Sequence, residues 1–315
     1  AHAMSTVSVS KQKTHRHEQD FIKRSTGEKI FNVVNIVIML VLLCLFLFPL
    51  FNVVSISLSD DKAVLAAQVT FYPIGYNPQA YTAIFGNTDL WRAAFNSFYV
   101  AIIGCLLGLV GSCVAAYPMA YGNFYGKKLY VIIIMFTMWF NAGIVPLFLT
   151  IRQLGLYDSL WALILNSMIT AYNVVIIRSY FSSIPFSVIE SARIDGATDY
   201  RILFQLVIPL SKPVLATVAL WLIVGHWNDY LNPLVLIHSQ DRKTLQLFLK
   251  ELVLNAESST SNLASVNDAN NKGVAALSQQ LKNGVLVVSM VPMIVLYPFL
   301  QKFFVSGVML GSVKG

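Results

Sequence analysis

Residues 187–213, SVIESARIDGATDYRILFQLVIPLSKP, form a polar connection between two apolar runs. Glu190, Arg193, Asp195, Asp199, Arg201 and Lys212 fall within 23 residues of it. The local signals agree on a short helix, a stop and a second helix. Ser187-Val-Ile-Glu190 fits a capping box, with Ser187 as the N-cap and Glu190 reaching back to it. Val188, Ile189 and Ala192 then share one helix face, and Glu190 and Arg193 share another. Gly196 is suited to the left-handed conformation that ends a helix. Thr198 or Asp199 is suited to cap a second helix over 200–206. Pro209 and Pro213 interrupt the chain before the next apolar run.

The rest of the chain explains why such a connection stands out. Of 315 residues, 56% are hydrophobic and only 12% charged, against about 25% charged in soluble domains. Residues 30–59 contain no charge at all, more than the roughly 20 apolar residues that a spanning helix needs. The expected fold is therefore all-α and polytopic, with six crossings at about 30–57, 94–121, 129–151, 159–178, 213–233 and 284–302. Gly104, Gly108, Gly111, Ser112 and Ala115 put a small-residue face on the second crossing, of the kind that brings helices together in lipid. The long connection 234–283 is rich in Ser, Asn, Gln and Ala, and its middle, 255–273, reads as an extended loop.

Residues 1–3 read as a cloning scar ahead of Met4, and 4–29 as a basic amino-terminal tail. Neither a cleavable signal nor a lipid-anchor site is evident around the first apolar run. Lys and Arg are retained on the cytoplasmic side. With the amino terminus inside, fourteen of them fall on inner segments and eight on outer ones, five of the eight in the long loop. Both termini, including the tail 309–315, are thus expected in the cytoplasm. The connection 187–213 joins them there, and 234–283 lies outside. This bias accounts for the net charge of +7, so a nucleic-acid partner is not needed.

Several chemistries are missing. Gly126-Lys127 lacks the leading glycine of a phosphate-binding loop, because Tyr121 stands there. No Cys/His set has metal-ligand spacing. The three cysteines lie inside apolar runs and are silent on redox compartment. The apolar runs hold almost no acids or bases, which argues against an ion-coupled secondary transporter, and no nucleophile–base pair suggests an intramembrane enzyme.

Glu190-Ser-Ala-Arg-Ile-Asp-Gly196, followed after eleven residues by Ile208-Pro209, resembles the EAA loop of binding-protein-dependent ABC importer permeases. Ser191 replaces the usual middle alanine. Ile194-Asp-Gly-Ala197, Ile208-Pro-Leu-Ser-Lys-Pro213, Trp227-Asn-Asp-Tyr-Leu-Asn-Pro233 and Val308-Met-Leu-Gly-Ser-Val-Lys-Gly315 extend the likeness to the carbohydrate-uptake type. That type is MalG-like, nearest to the LplC/YtcP-type oligosaccharide permeases. The resemblance implies a type I permease fold whose coupling helix, about 187–197, meets an ATP-hydrolysing subunit through Glu190, Ser191, Ala192, Arg193, Asp195, Gly196, Ile208 and Pro209. Glu190 has two available roles, capping its own helix and meeting the partner.

The resemblance also places His226, Trp227, Asn228, Asp229, Tyr230 and Asn232 near the translocation path or outer gate. Simple exposure at the outer interface, with Trp227 and Tyr230 as belt residues, is the competing reading. The implied partners are a second, unlike permease, two ABC ATPase subunits, an extracellular solute-binding (lipo)protein, membrane lipid and an oligosaccharide. The outer loop would reach the binding protein, or serve as a spacer. No cofactor is expected on this chain; ATP and Mg belong to the ATPase subunits. The expected location is the cytoplasmic membrane of a bacterium, and the use of Lys, Asn and Ile leans toward a Gram-positive one. A permease for a non-sugar solute is the alternative.

Overall fold

The computed structural model describes residues 26–140, 142–263 and 269–312, with side-chain surroundings given through 254 and again from 276 to 298 except 296. Residues 1–25, 264–268 and 313–315 lie outside it. So do the scar, most of the 4–29 tail, the end of the 309–315 tail and part of the 255–273 loop expectation. The chain divides into two units, Ala1–Pro49 and Leu50–Gly315. Every regular element among the described residues is helical, as expected where lipid offers no hydrogen bonds and each backbone group must find its partner within its own segment.

Helix α1 (Thr26–Ser57) begins inside the stretch assigned to the tail and carries Pro49 within it. Short helices α2 (Asp61–Leu65) and α3 (Gln79–Gly86) follow. Helix α4 (Thr88–Tyr121) is capped by Asn87, whose side chain accepts from the Asp89 and Leu90 N–H groups. Its two faces differ sharply. Ile102, Leu106, Val110 and Val114 are exposed at four-residue intervals, whereas Ala101, Cys105, Ser112, Cys113 and Ala116 are buried. The buried face is the small-residue face. A methyl group added at Gly108 would lie 2.9 Å from the Met168 carbonyl oxygen and 3.0 Å from Leu222 Cδ1. One added at Gly111 would lie 2.9 Å from Ile169.

Three of the expected crossings are bent pairs of helices. Residues 129–151 divide into α5 (Lys127–Trp139) and α6 (Ile144–Gln153). Residues 159–178 divide into α7 (Leu160–Asn166) and α8 (Ala171–Phe181), bent by 48°. The crossing drawn over 213–233 is α12 (Lys212–Asn228), which ends earlier. It meets the preceding rod Asp199–Leu210 at 85°. Among the described residues, two helices are singly long and apolar enough to cross a membrane, or up to five if each bent pair is one crossing. Apolar composition shows none of these breaks, because it is continuous through them.

The rod itself starts with α10 (Asp199–Arg201), widens into a π-type turn over Ile202–Val207 and closes with α11 (Ile208–Leu210). Pro209 explains the widening. It has no N–H to give and its ring crowds the carbonyl four residues back, and a π turn relieves both. Pro213, at the first turn of α12, needs no such relief because that N–H has no partner in any helix.

The long 234–283 connection is largely helical, contrary to the extended-loop reading. It contains α13 (Leu231–Leu236), α14 (Leu245–Leu263) and the start of α15 (Ala269–Ser312). Leu245 and Leu249 are buried, with Phe248 and Leu252 beside them, against Trp227 and Val285. Leu247 is buried as well, in the cluster of Leu236 and Ile237, so the apolar first half of α14 holds the helix on the bundle although residues 257–262 are polar. The sixth expected crossing, 284–302, is the middle of α15, which runs on to Ser312.

One carboxylate ties this region down. Asp158, at φ +58° between α6 and α7, accepts the His238 N–H at 2.8 Å and the Ser239 N–H at 2.9 Å. The Ser239 hydroxyl and Arg242 add to the set. Asn96 donates to the carbonyls of Asp241 and Lys243, each at 2.9 Å, and Ser97 Oγ accepts the Leu245 N–H at 2.8 Å. Partial burial alone would raise the Asp158 pKa. The Ser239 and His238 hydrogen bonds and the Arg242 charge outweigh it and hold the carboxyl at about 2.

Two outcomes follow from these contacts. Gly108→Ala forces a methyl onto a backbone carbonyl and is expected to destabilise by about 1–3 kcal/mol, read as a lower Tm of the purified protein in detergent. The depressed Asp158 pKa means its stabilisation is complete above the ordinary value of 3.8 and fades as pH falls toward about 2. Asp158→Asn is therefore expected to lower Tm at pH 7, with the deficit shrinking progressively below pH 4; a deficit independent of pH would show that ionisation is not involved.

Candidate functional site

At one end of α4, helix α9 (Phe186–Ile194) lies on the core. Ile189 is fully buried, with Ala192 and Ala197 packed beside it against Val207 and Phe181. Burying one such side chain is worth roughly 1.5–3 kcal/mol, enough to hold a nine-residue helix in place. The capping box does not form. The helix begins two residues earlier, after Pro185, with no side-chain cap. Ser187 already lies in the first turn, and its carbonyl accepts from the Ser191 hydroxyl at 2.9 Å. Proline fixes the backbone at the helix start, so a hydroxyl cap is not required.

The stop forms as the sequence indicates. Gly196 has φ +78°. The Ala197 N–H reaches the Ala192 carbonyl at 3.0 Å and the Gly196 N–H reaches that of Arg193 at 3.0 Å, which is the Schellman pairing. Thr198, rather than Asp199, accepts the N–H of Arg201 and caps α10.

Asp199 is thereby left for a different contact. Its Oδ1 accepts from Tyr117 Oη on α4 at 3.0 Å and from Arg193 Nη2 on α9 at 3.1 Å. The bond to Asp199 holds the Arg193 guanidinium above its usual range. One carboxylate thus joins α9, the bent rod and α4. Neither Tyr117 nor this role of Asp199 was legible from the motif. The outward side of α9 is different. Glu190 is exposed and makes no hydrogen bond or ion pair among the described residues. Asp195 is exposed, Ile194 is 81% exposed and Tyr200 is 76% exposed. Ile208 is half-buried on the core and Pro209 faces outward.

At the other end of the bundle, α12 finishes in the segment 226–232. The structure distributes these residues among different tasks. Trp227 is buried, with its ring edge-on to Phe98 at 4.9 Å. It is a core residue, and it also borders an apolar cavity of about 600 Å³ with Met290, Met293 and Leu220. Tyr230 is exposed beneath the Lys250 ammonium, 5.8 Å from its ring centre. Asp229 accepts the Asn232 N–H at 3.1 Å and its side-chain amide at 2.7 Å, which caps the start of α13.

His226, Asn228, Asp229 and Asn232 come together on a second cavity of about 470 Å³. Ser167, Thr170, Asn173, Trp221, Leu222 and Gly225 complete its wall. The break between α7 and α8 supplies the first two of these, so the bend that removes a straight crossing also exposes polar groups at membrane depth. Residues 221, 225 and 228 recur on one face of α12, whereas Asp229 and Asn232 reach the cavity from beyond its end. Asn173 was not distinguishable from other polar residues there. His226 is buried with Nε2 unpartnered among the described residues. A methyl at Gly104 would lie 2.4 Å from that nitrogen, so the glycine makes the space in which the imidazole sits. No group of three or more metal-ligating side chains occurs among the described residues.

Residues 104–260 match the family described as binding-protein-dependent transport system inner membrane component. The chain is 32% identical to the polygalacturonan/rhamnogalacturonan transport system permease protein YtcP of Bacillus subtilis, over 88% of this chain and 95% of that one. It is 31% identical to protein LplC of the same organism, over 91% and 96%. It is 28% identical to the arabinooligosaccharides transport system permease protein AraQ of Halalkalibacterium halodurans, over 85% and 91%. A chain from the crystal structure of a bacterial ABC transporter involved in the import of the acidic polysaccharide alginate superposes with a TM-score of 0.79 at 31% identity, covering 89% of this chain and 99% of that one. With a buried small-residue seam, bent crossings and the docked helix α9 all in place, this chain belongs to the inner-membrane components of binding-protein-dependent transport systems and is a membrane-embedded permease of the ABC importer type.

Proposed function

We propose that this chain is one of two unlike permeases in an ABC importer for an oligosaccharide. Two ATPase subunits would hold ATP and Mg, and an extracellular solute-binding protein would deliver the sugar. The relatives whose names carry a substrate are sugar permeases, which supports the substrate class. The membrane would be the cytoplasmic membrane of a bacterium, with both termini and α9 on the inner side and 234–283 outside.

The observation that carries the coupling reading is the two-sidedness of α9. Inward, it is fixed by Ile189 and by the Arg193–Asp199–Tyr117 contact. Outward, it offers Glu190 and Ile194 to water, with Tyr200 of α10 exposed beside the same connection. A large exposed aliphatic beside an unpaired carboxylate fits a protein-binding surface. Movement imposed on that surface by the closing ATPases would pass through Asp199 into α4 and the bent rod. Glu190 then serves the partner and not its own helix. The polar end of α12 and its 470 Å³ cavity would lie on the translocation path.

In proteoliposomes containing the complete importer, Ile194→Asp is expected to lower binding-protein-stimulated ATP hydrolysis and sugar uptake together by tenfold or more, with weaker retention of the ATPase subunits on purification. Tyr117→Phe removes only a hydroxyl inside the permease. It is expected to lower uptake per ATP hydrolysed several-fold with the ATPase subunits still bound. Wild-type behaviour of both variants would overturn the coupling role of α9.

A further inference from the structure

The wall of the 470 Å³ cavity carries more than a polar lining. Its volume falls in the range of about 300–1,000 Å³ typical of small-molecule sites. Trp221 stands on it with its ring tilted 37° to Tyr172 at 5.5 Å between centroids, which makes a two-ring aromatic ledge. Asn173 is only 5% exposed, yet its side-chain amide makes no hydrogen bond among the described residues. His226 is 7% exposed, and its Nε2 is turned against Gly104 of α4, closed off from the cavity. The Asn173 amide lines the cavity without being sealed from it, so the partner that a polar group this enclosed needs comes from a ligand's hydroxyl or from water. Asn228 and Asp229 add a planar amide and a carboxylate on the same wall.

Aromatic face and planar polar groups together match one ligand chemistry. A sugar ring has an apolar C–H face that lies on an aromatic ring and a rim of hydroxyls that both donate and accept. Amides and carboxylates meet that rim in pairs of hydrogen bonds. Charge narrows the choice further. The wall includes the Asp229 carboxylate and neither Lys nor Arg. A uronate carboxylate here would face a like charge without a cation to offset it, at a depth where such charges interact strongly.

Resting on the oligosaccharide reading above, we propose that this chain seats an uncharged sugar ring directly, with Trp221 under its C–H face and Asn173, Asn228 and Asp229 on its hydroxyls. Tyr172 is a positioning residue that holds the Trp221 ring, and Gly104 keeps His226 in the wall by leaving room for its imidazole.

The experiment measures uptake of radiolabelled arabinotriose, diacetylchitobiose and trigalacturonate by the complete importer in proteoliposomes with its binding protein. If none of the three enters while a non-sugar solute does, the oligosaccharide reading and this one fall together. With a sugar that wild type imports, Trp221→Leu is expected to raise KM at least tenfold, while Trp221→Phe stays within threefold of wild type. Asn173→Leu is expected to raise KM five- to tenfold. Unchanged KM in both leucine variants overturns the sugar contact and leaves the oligosaccharide reading standing. Asp229→Asn keeps the oxygen that caps α13 but removes the charge. It is expected to raise uptake of trigalacturonate relative to arabinotriose at least threefold, and an unchanged ratio overturns the assignment of an uncharged ring.

Discussion

The close approach of α4 to its neighbours is the contact on which the rest depends. In lipid, apolar side chains gain little by meeting one another, so helices associate where small residues let backbones come near. Gly104, Gly108 and Gly111 do this on one face of α4, and each touches something different. Gly104 admits an imidazole, Gly108 a backbone carbonyl and a leucine of α12, and Gly111 an isoleucine from the break between α7 and α8. A single glycine-lined seam therefore holds together the helix that ends in the polar segment, the bend that supplies the opposite wall of the cavity, and the core onto which α9 is packed.

The same seam links the two ends of the bundle. At one end, Tyr117 near the end of α4 reaches Asp199, which also receives Arg193. At the far end of α4, Asn96 and Ser97 bind the chain leading into α14. A rigid helix fixed to one segment at each end is suited to carry displacement between them. The bent elements are suited to absorb it, because the 85° corner at Ser211 and the π turn before Pro209 already depart from regular geometry.

Much of this was legible in the residues. The absence of charge over 30–59 requires a spanning helix, since lipid tolerates nothing else. The spacing of Gly104, Gly108 and Gly111 indicated the packing face, and Gly196 indicated the stop, because few other residues adopt φ near +78° without strain. The polar string from His226 to Asn232 was visible as an anomaly at the end of an apolar run. The failures have equally local causes. Ser187 and Glu190 have the spacing of a capping box, but Pro185 starts the helix two residues earlier and shifts the register. The middle of the long connection, 255–273, is polar enough to pass for a loop, yet Leu245, Leu247 and Leu249 dock the helix that runs into it.

Sequence alone determined the class of the protein, the polar connection 187–213, the small-residue seam and the helix stop. Each depends on residues near in sequence or on the bulk preference of apolar chains for lipid. Only the tertiary structure decided where the apolar runs bend, that Asp199 accepts from both Tyr117 and Arg193, that Trp227 is core while Trp221 faces a cavity, and that Asn173 lines the same cavity. Those depend on which surfaces distant segments bring together. Composition cannot express them, because a tryptophan or an asparagine is the same residue whether a neighbouring helix covers it or leaves it open.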